Sequence, residues 1–307
     1  HEGNRIKLYN GTYWKFHSFA EASVAVPSTL FRMFDIFAYD NAGTLTLETA
    51  NWSQTTGTIT AASNAAPIVV TSVAHGLSNG DFVGIAGIVG NTAANSFTWK
   101  VANVTADTFE LEYSTGNGAY TSGGTWYKIT GSTSSNLTTQ NGIYVKSGET
   151  SKRYVGIGMT IGTSGQCQAD TTNCLLVNAY NHQEIRLSYF DSTGHTYAST
   201  TFRSWNGDGT AYRTFLTPSN APQVLAATVT PQMNGDATAL PNVQIAIGPS
   251  GANVCNVGTG GLISFRCSSS DFLSRSAGFS ICHPQESRFS AGTATFTQII
   301  MRVKVKQ

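Results

Sequence analysis

The residues best suited to chemistry are few and scattered. Glu110 and Glu112 alternate along a predicted strand, which puts both carboxylates on one face roughly 7 Å apart. Glycosidase carboxylate pairs work within that range, so the spacing raises polysaccharide cleavage as a possible chemistry. The alternative is the solvated side of an amphipathic strand. That alternative is the expectation, because no aromatic run beside the pair marks a substrate groove. His75 sits beside Gly76, six residues before Asp81. Base or metal chemistry there needs a second partner that the local sequence lacks, so a turn-shaping role is expected. Asn206-Gly207-Asp208-Gly209 offers oxygen donors at alternate positions, as a hard cation would require. With a single carboxylate and no terminal Glu, it reads better as a tight hairpin turn. No Cys-x-x-Cys pair and no His-x3-His spacing occurs, so neither a metal nor any other cofactor is expected.

Aromatic residues make up 11% of the chain and are the ones to weigh for binding. Trp126 lies in Gly-Gly-Thr-Trp-Tyr, and Trp205 and Tyr212 bracket the Asn-Gly-Asp-Gly run. Flat rings in glycine-rich, loop-like contexts can stack on sugar faces, so these three are the candidate ligand-binding residues. The competing role is to plug a core or a subunit interface, as most aromatics in β proteins do. Trp14 and Trp52, next to predicted strands, are expected in the core. The five cysteines cannot all pair. Cys167 with Cys174, and Cys255 with Cys267, could each meet across a hairpin, and buried thiols are the alternative.

A formal charge of +1 from 18 basic and 17 acidic residues lacks the basic excess that drives counterion release from phosphates, which argues against nucleic acid as a partner. No apolar run approaches the roughly 18 to 20 residues of a spanning helix, so no membrane insertion is expected. A chain that opens on His1 is expected to continue upstream.

Gly, Thr, Ser and Asn interrupt every 3.6-residue apolar period, while two-residue alternation recurs. Residues 30–39 and 43–48 read as a hairpin turned at Asp40-Asn41-Ala42-Gly43. Further strands are predicted at 142–146, 153–160, 174–178, 184–190, 200–205, 212–216, 243–247, 262–266 and 293–305. After Leu216, Pro218, Pro222, Pro231 and Pro241 suggest a loop-rich passage. The last strand puts Ile300, Arg302, Lys304 and Lys306 on one face and Ile299, Met301, Val303 and Val305 on the other, with the lysines read as protection of a sheet edge. The fold class is all-β, an antiparallel sandwich or jelly-roll-like host domain.

Residues 54–130 carry a strand set of their own, at 68–73, 82–85, 98–104, 108–112 and 125–129. Within it, His-Gly-Leu-x-x-Gly-Asp-x-Val (His75 to Val83), then Asn91 to Asn95, then Ala-Asp-Thr-Phe-Glu-Leu (Ala106 to Leu111) resembles a small β module found repeatedly in phage tail and virion proteins. That module is related in fold only to the first catalytic-cysteine half-domain of ubiquitin-activating enzymes. The likeness transfers no activity, since no Cys lies between 54 and 130. The flanks, Tyr13-Trp14-Lys15-Phe16, Asp35 to Tyr39, Leu47 to Trp52, Thr138 to Gly148, Lys152 to Gly156 and Val177 to Asn181, resemble a domain common in tail-fibre and virion structural proteins of tailed phages.

The resemblance implies residues 1–53 and 131–307 as one β host domain and 54–130 as a small β-barrel-like domain inserted in its surface loop. It also implies a non-enzymatic virion component, a tail-fibre or surface appendage subunit that mediates assembly and host-surface contact. Its partners would be two further copies in a homotrimer, other virion proteins and a host surface glycan. A capsid or neck decoration, or head fibre, is the alternative. A polysaccharide-degrading spike ranks third, because no repeat period of 20 to 50 residues is present.

Overall fold

The computed structural model describes residues 5–129, 134–180, 184–218, 224–234, 241–247, 252–253, 257–258, 263–264, 267–269, 278–288 and 292–306. Cys255 and Pro222 lie outside them. The described residues are strands and loops, with two single 3-10 turns, at Thr92–Ala94 and Trp205–Gly207.

The hairpin Met33–Asn41/Thr44–Asn51 forms as its sequence requires. Its turn needs two consecutive positive φ values, which Ala42 (51°) and Gly43 (93°) supply, while the Gly43 N–H donates to Asp40 Oδ1 at 2.7 Å. It supplies two of the six strands of an antiparallel sheet in the order Leu137–Gln140, Ile143–Lys146, Glu149–Met159, Met33–Asn41, Thr44–Asn51, with Leu176–Asn178 also paired to Glu149–Met159. An N-terminal hairpin, Arg5–Tyr9/Trp14–Ser18, lays Ile6 and Leu8 on Ala38, Leu45, Leu47 and Val155 of that sheet.

A seven-stranded sheet draws all its strands from residues 56–129. Thr56–Thr58 pairs with Thr125–Ile129 at one end, and Ala61–Ala62, three residues on, pairs with Ile68–Thr71 at the other. One run of chain therefore joins both ends of the sheet and closes it into a small barrel. Alternating inward residues, Ile68, Val70, Val83, Ile85, Val101, Phe109, Leu111 and Trp126, fill it.

The remaining strands form two sheets packed face to face. One runs Asn173–Cys174, Arg213–Thr217, Gly278–Arg288, Pro241–Ile247, Ala252–Asn253; the other runs Glu184–Asp191, Ala294–Lys306, Val224–Asn234, Ile263–Ser264. Phe215, Val243, Ile245 and Ile281 from the first meet Leu187, Val229, Phe296, Met301 and Val303 from the second in one buried cluster, the core of a β-sandwich.

Three expectations are corrected here. Ala294–Lys306 has the predicted two faces, Met301 and Val303 buried and Arg302 and Lys304 exposed, but it is a central strand flanked on both sides, so its lysines guard no edge. The Pro-rich passage holds the 11-residue strand Val224–Asn234. Pro231 is accommodated next to a register shift at Gln232/Met233, and Pro241 at the first position of its strand. Asn206–Gly209 is no hairpin turn: it joins Arg203–Ser204 to Arg213–Thr217, which both pair with Gly278–Arg288 and not with each other. Cys167 and Cys174 are free thiols, the burial of each raising its pKa.

Candidate functional site

The three aromatics predicted to bind a ligand are all buried, Trp126 at 1% exposed, Trp205 at 0% and Tyr212 at 6%. No ring face among them is open for stacking, and the structure does not bring them into one site. Each is held by a specific partner. Trp205 donates its indole N–H to Asp191 Oδ2 at 2.9 Å and packs edge-on against His195 and Phe296. Tyr212 lies edge-on to Phe82 of the barrel and donates to Glu112 Oε2 at 3.4 Å. Trp126 packs in the barrel core against Phe109 and donates to Ser72 Oγ at 2.8 Å. Glycine-rich surroundings suggested loops, but glycine is needed at Gly57 because a Cβ there would lie 2.6 Å from the Trp126 ring.

The loop 203–213 is thus a joint between barrel and sandwich. Tyr113, at φ 59°, accepts the Ser204 N–H at 3.3 Å, and Gly209 sits against Trp99 and the Glu112 carbonyl. Asp208 accepts from the Tyr189 hydroxyl at 2.9 Å and from the Thr210 N–H at 2.7 Å, so its oxygens are committed to the strand Glu184–Asp191 and to the loop itself. Beneath the loop, the fully buried carboxylate of Glu286 accepts from Arg203 Nε at 2.7 Å, His195 Nε2 at 2.5 Å and the Asn206 N–H at 3.2 Å. Burial, the largest influence, lowers the His195 pKa; the bond to Glu286, the bond to the Thr193 carbonyl and the Glu286 charge together outweigh it and raise it.

A second buried carboxylate holds the other attachment. Trp52, just before the barrel, donates its indole N–H to Asp35 Oδ2 at 2.9 Å; Ser134 and Asn136, just after it, donate to the same oxygen. Asn136 also bonds the carbonyls of Ala50 and Asn51, at 3.1 and 3.3 Å. Both ends of the barrel segment are therefore clasped to one atom of the strand Met33–Asn41. Burial raises the Asp35 carboxyl from 3.8 to about 6, partly offset by the three donors, and its Oδ1 has no partner. The pattern Met-Phe-Asp-Ile-Phe, a lone carboxylate in an apolar strand, was the signal for this residue. Glu286, in a polar run, gave none.

The other candidates are structurally occupied. His75 accepts the Leu77 N–H on Nδ1 at 3.0 Å and donates from Nε2 to the Thr108 carbonyl at 3.2 Å, so neither nitrogen is free to act as a base. Glu110 accepts from Asn103 at 2.7 Å, and Glu112 is paired with Lys100 at 3.0 Å, so the two are tied to different partners. Beside His75 runs an open groove lined by Thr56, Thr58, Thr60, Ser72, Val73 and Trp126. Its hydroxyls suit a neutral, hydroxylated ligand. Of the large apolar side chains that face solvent, Val73 lies at this groove, and Tyr13, Phe16, Val89, Leu176 and Phe190 lie elsewhere. Among the described residues no cluster of His, Cys, Asp and Glu could hold a metal.

No protein-family model and no curated protein sequence matches the chain. Among solved structures, dimeric latent PorU from Porphyromonas gingivalis is similar at 8% identity and a TM-score of 0.30, over 83% of this chain and 24% of that one. The infectious bursal disease virus VP2 subviral particle is similar at 8% identity and 0.27, over 83% and 72%. The Gx strain of that virus is similar at 10% identity and 0.27, over 92% and 66%. The chain thus spans about a quarter of the PorU length. At these TM-scores the similarities carry no functional implication.

Proposed function

We propose that this chain is a non-enzymatic structural subunit of a tailed-phage virion, a homotrimeric tail-fibre or surface appendage that displays residues 54–130 as an inserted module and contacts the host surface. The observation that carries the reading is the mounting of the barrel. A closed module with its own core is clasped at both ends to a rigid sheet and braced against a sandwich, an arrangement that presents a binding surface and holds it in place. The ordered turn motifs of residues 75–111 add the phage-virion likeness. The tying of Glu110 and Glu112 to separate partners supports a structural over a hydrolytic role.

The test is to decorate purified particles with antibody fragments against the chain and image them by electron cryomicroscopy. Label on a three-fold tail appendage is the expected outcome. Label distributed over the capsid lattice would replace the appendage with a shell decoration, and absence of the chain from purified particles would overturn the virion reading.

A further inference from the structure

The N-terminal hairpin turns an aromatic and cationic face to solvent. Its register pairs Arg5 with Ser18, Lys7 with Phe16 and Tyr9 with Trp14. Because directly paired residues share a face, all six lie opposite the side on which Ile6 and Leu8 are buried. At the tip, Asn10 Oδ1 accepts the N–H groups of Thr12 and Tyr13 at 3.0 and 2.9 Å, which orders the turn. Phe16 is 63% exposed and Tyr13 59%. Lys7 Nζ stands 4.7 Å from the Phe16 ring centre, and the Tyr9 and Trp14 rings are 5.5 Å apart. Among these outward residues there is no carboxylate. The hairpin is anchored by its opposite face, so folding does not require this concentration of rings on the solvent side.

We propose that this face binds an acidic polysaccharide, with Phe16 stacking on a sugar ring and Lys7 and Arg5 pairing with the carboxylates. The charge balance selects this occupant. A neutral glycan leaves the two cations without a role. A second copy of the hairpin across a two-fold axis would set the same cations against each other. A nucleic acid would draw on a broad basic field, which a chain of net charge +1 does not supply. The inference rests on the appendage reading for where such a polymer would be met, and on the hairpin alone for how it is held.

The experiment titrates the full chain with hyaluronan and polysialic acid oligomers, using uncharged chitin oligomers and single-stranded poly(dT) as comparisons. Binding to at least one acidic oligomer is expected, at least 10-fold tighter than to the comparisons and weakened by salt. Phe16→Ala and Lys7→Ala should each weaken it at least 10-fold with unchanged thermal unfolding, while Phe16→Tyr should retain it. No binding to either acidic oligomer, equal or tighter binding to chitin or poly(dT), or equal binding by parent and Phe16→Ala would overturn the proposal. So would self-association abolished by Phe16→Ala. Binding as expected by a chain that particle labelling places off the virion would defeat the appendage reading and keep the site.

Discussion

Asp35 illustrates what one residue can hold together. Its carboxyl, held at about 6 against an ordinary 3.8, keeps its proton more tightly in the folded chain than in the unfolded one. The sign follows: that proton's contribution to stability is present below about pH 4 and is lost as the pH rises to about 6, roughly 3 kcal/mol in all. Asp35→Asn keeps an acceptor for Trp52 and has no charge to bury. Relative to the parent, it should therefore gain up to about 3 kcal/mol between pH 4 and pH 7 in urea unfolding. His283, which burial and then Lys100 hold down at about 3, acts in the opposite direction, destabilising the fold as pH falls below 6.5. It does so in both proteins and cancels in the difference. A stability gap that does not move with pH would mean that Asp35 is not buried as an ionisable group. The aromatic residues give the complementary lesson. Ring type and neighbouring glycines were legible in the sequence, but Trp126 is covered by Gly57, 69 positions upstream, and local sequence cannot report a cover so distant.

Among elements, the strand Thr56–Thr58 is the most consequential for its length, since with Ala61–Ala62 it closes the barrel. A methyl group at Gly57 would meet the Trp126 ring at 2.6 Å. Gly57→Ala should cost about 1–3 kcal/mol by overpacking, and Trp126→Phe on top of it should cost less than the sum of the two single changes. Paired denaturant titrations of the four proteins measure this, and strict additivity would place the strain elsewhere. Most strands were legible from alternation: Thr125–Ile129 matches its predicted bounds, and Glu184–Asp191 and Ala294–Lys306 come within a residue of theirs. Val224–Asn234 and Gly278–Arg288 were not. Pro231 reads as an interruption, and a partner strand that accommodates a missing N–H is invisible locally. The edge reading of Ala294–Lys306 failed for a related reason, because a sequence shows which face of a strand is polar and not how many neighbours it has.

At the scale of the molecule, the described residues join the barrel to the rest of the chain through the Asp35 clasp with Phe31 and Tyr127 on one side and through the 203–213 loop on the other. Phe82 stands on a barrel strand, yet its side chain belongs to the cluster that runs through the sandwich, against Tyr212. Phe82→Ala should cost about 3–5 kcal/mol and uncouple the two bodies, so that one calorimetric transition becomes two. A single transition shifted downward would show that the clasp alone keeps them cooperative. The clasp also settles how a tug on the barrel would be shared. Thr44–Asn51 and Leu137–Gln140 are opposite edges of one sheet, and Asn136 stitches them at the point where the barrel segment leaves and returns. Tension applied at the barrel enters both edge strands together and along their lengths, so the hydrogen-bond ladders would have to shear rather than unzip, an attachment suited to resisting drag.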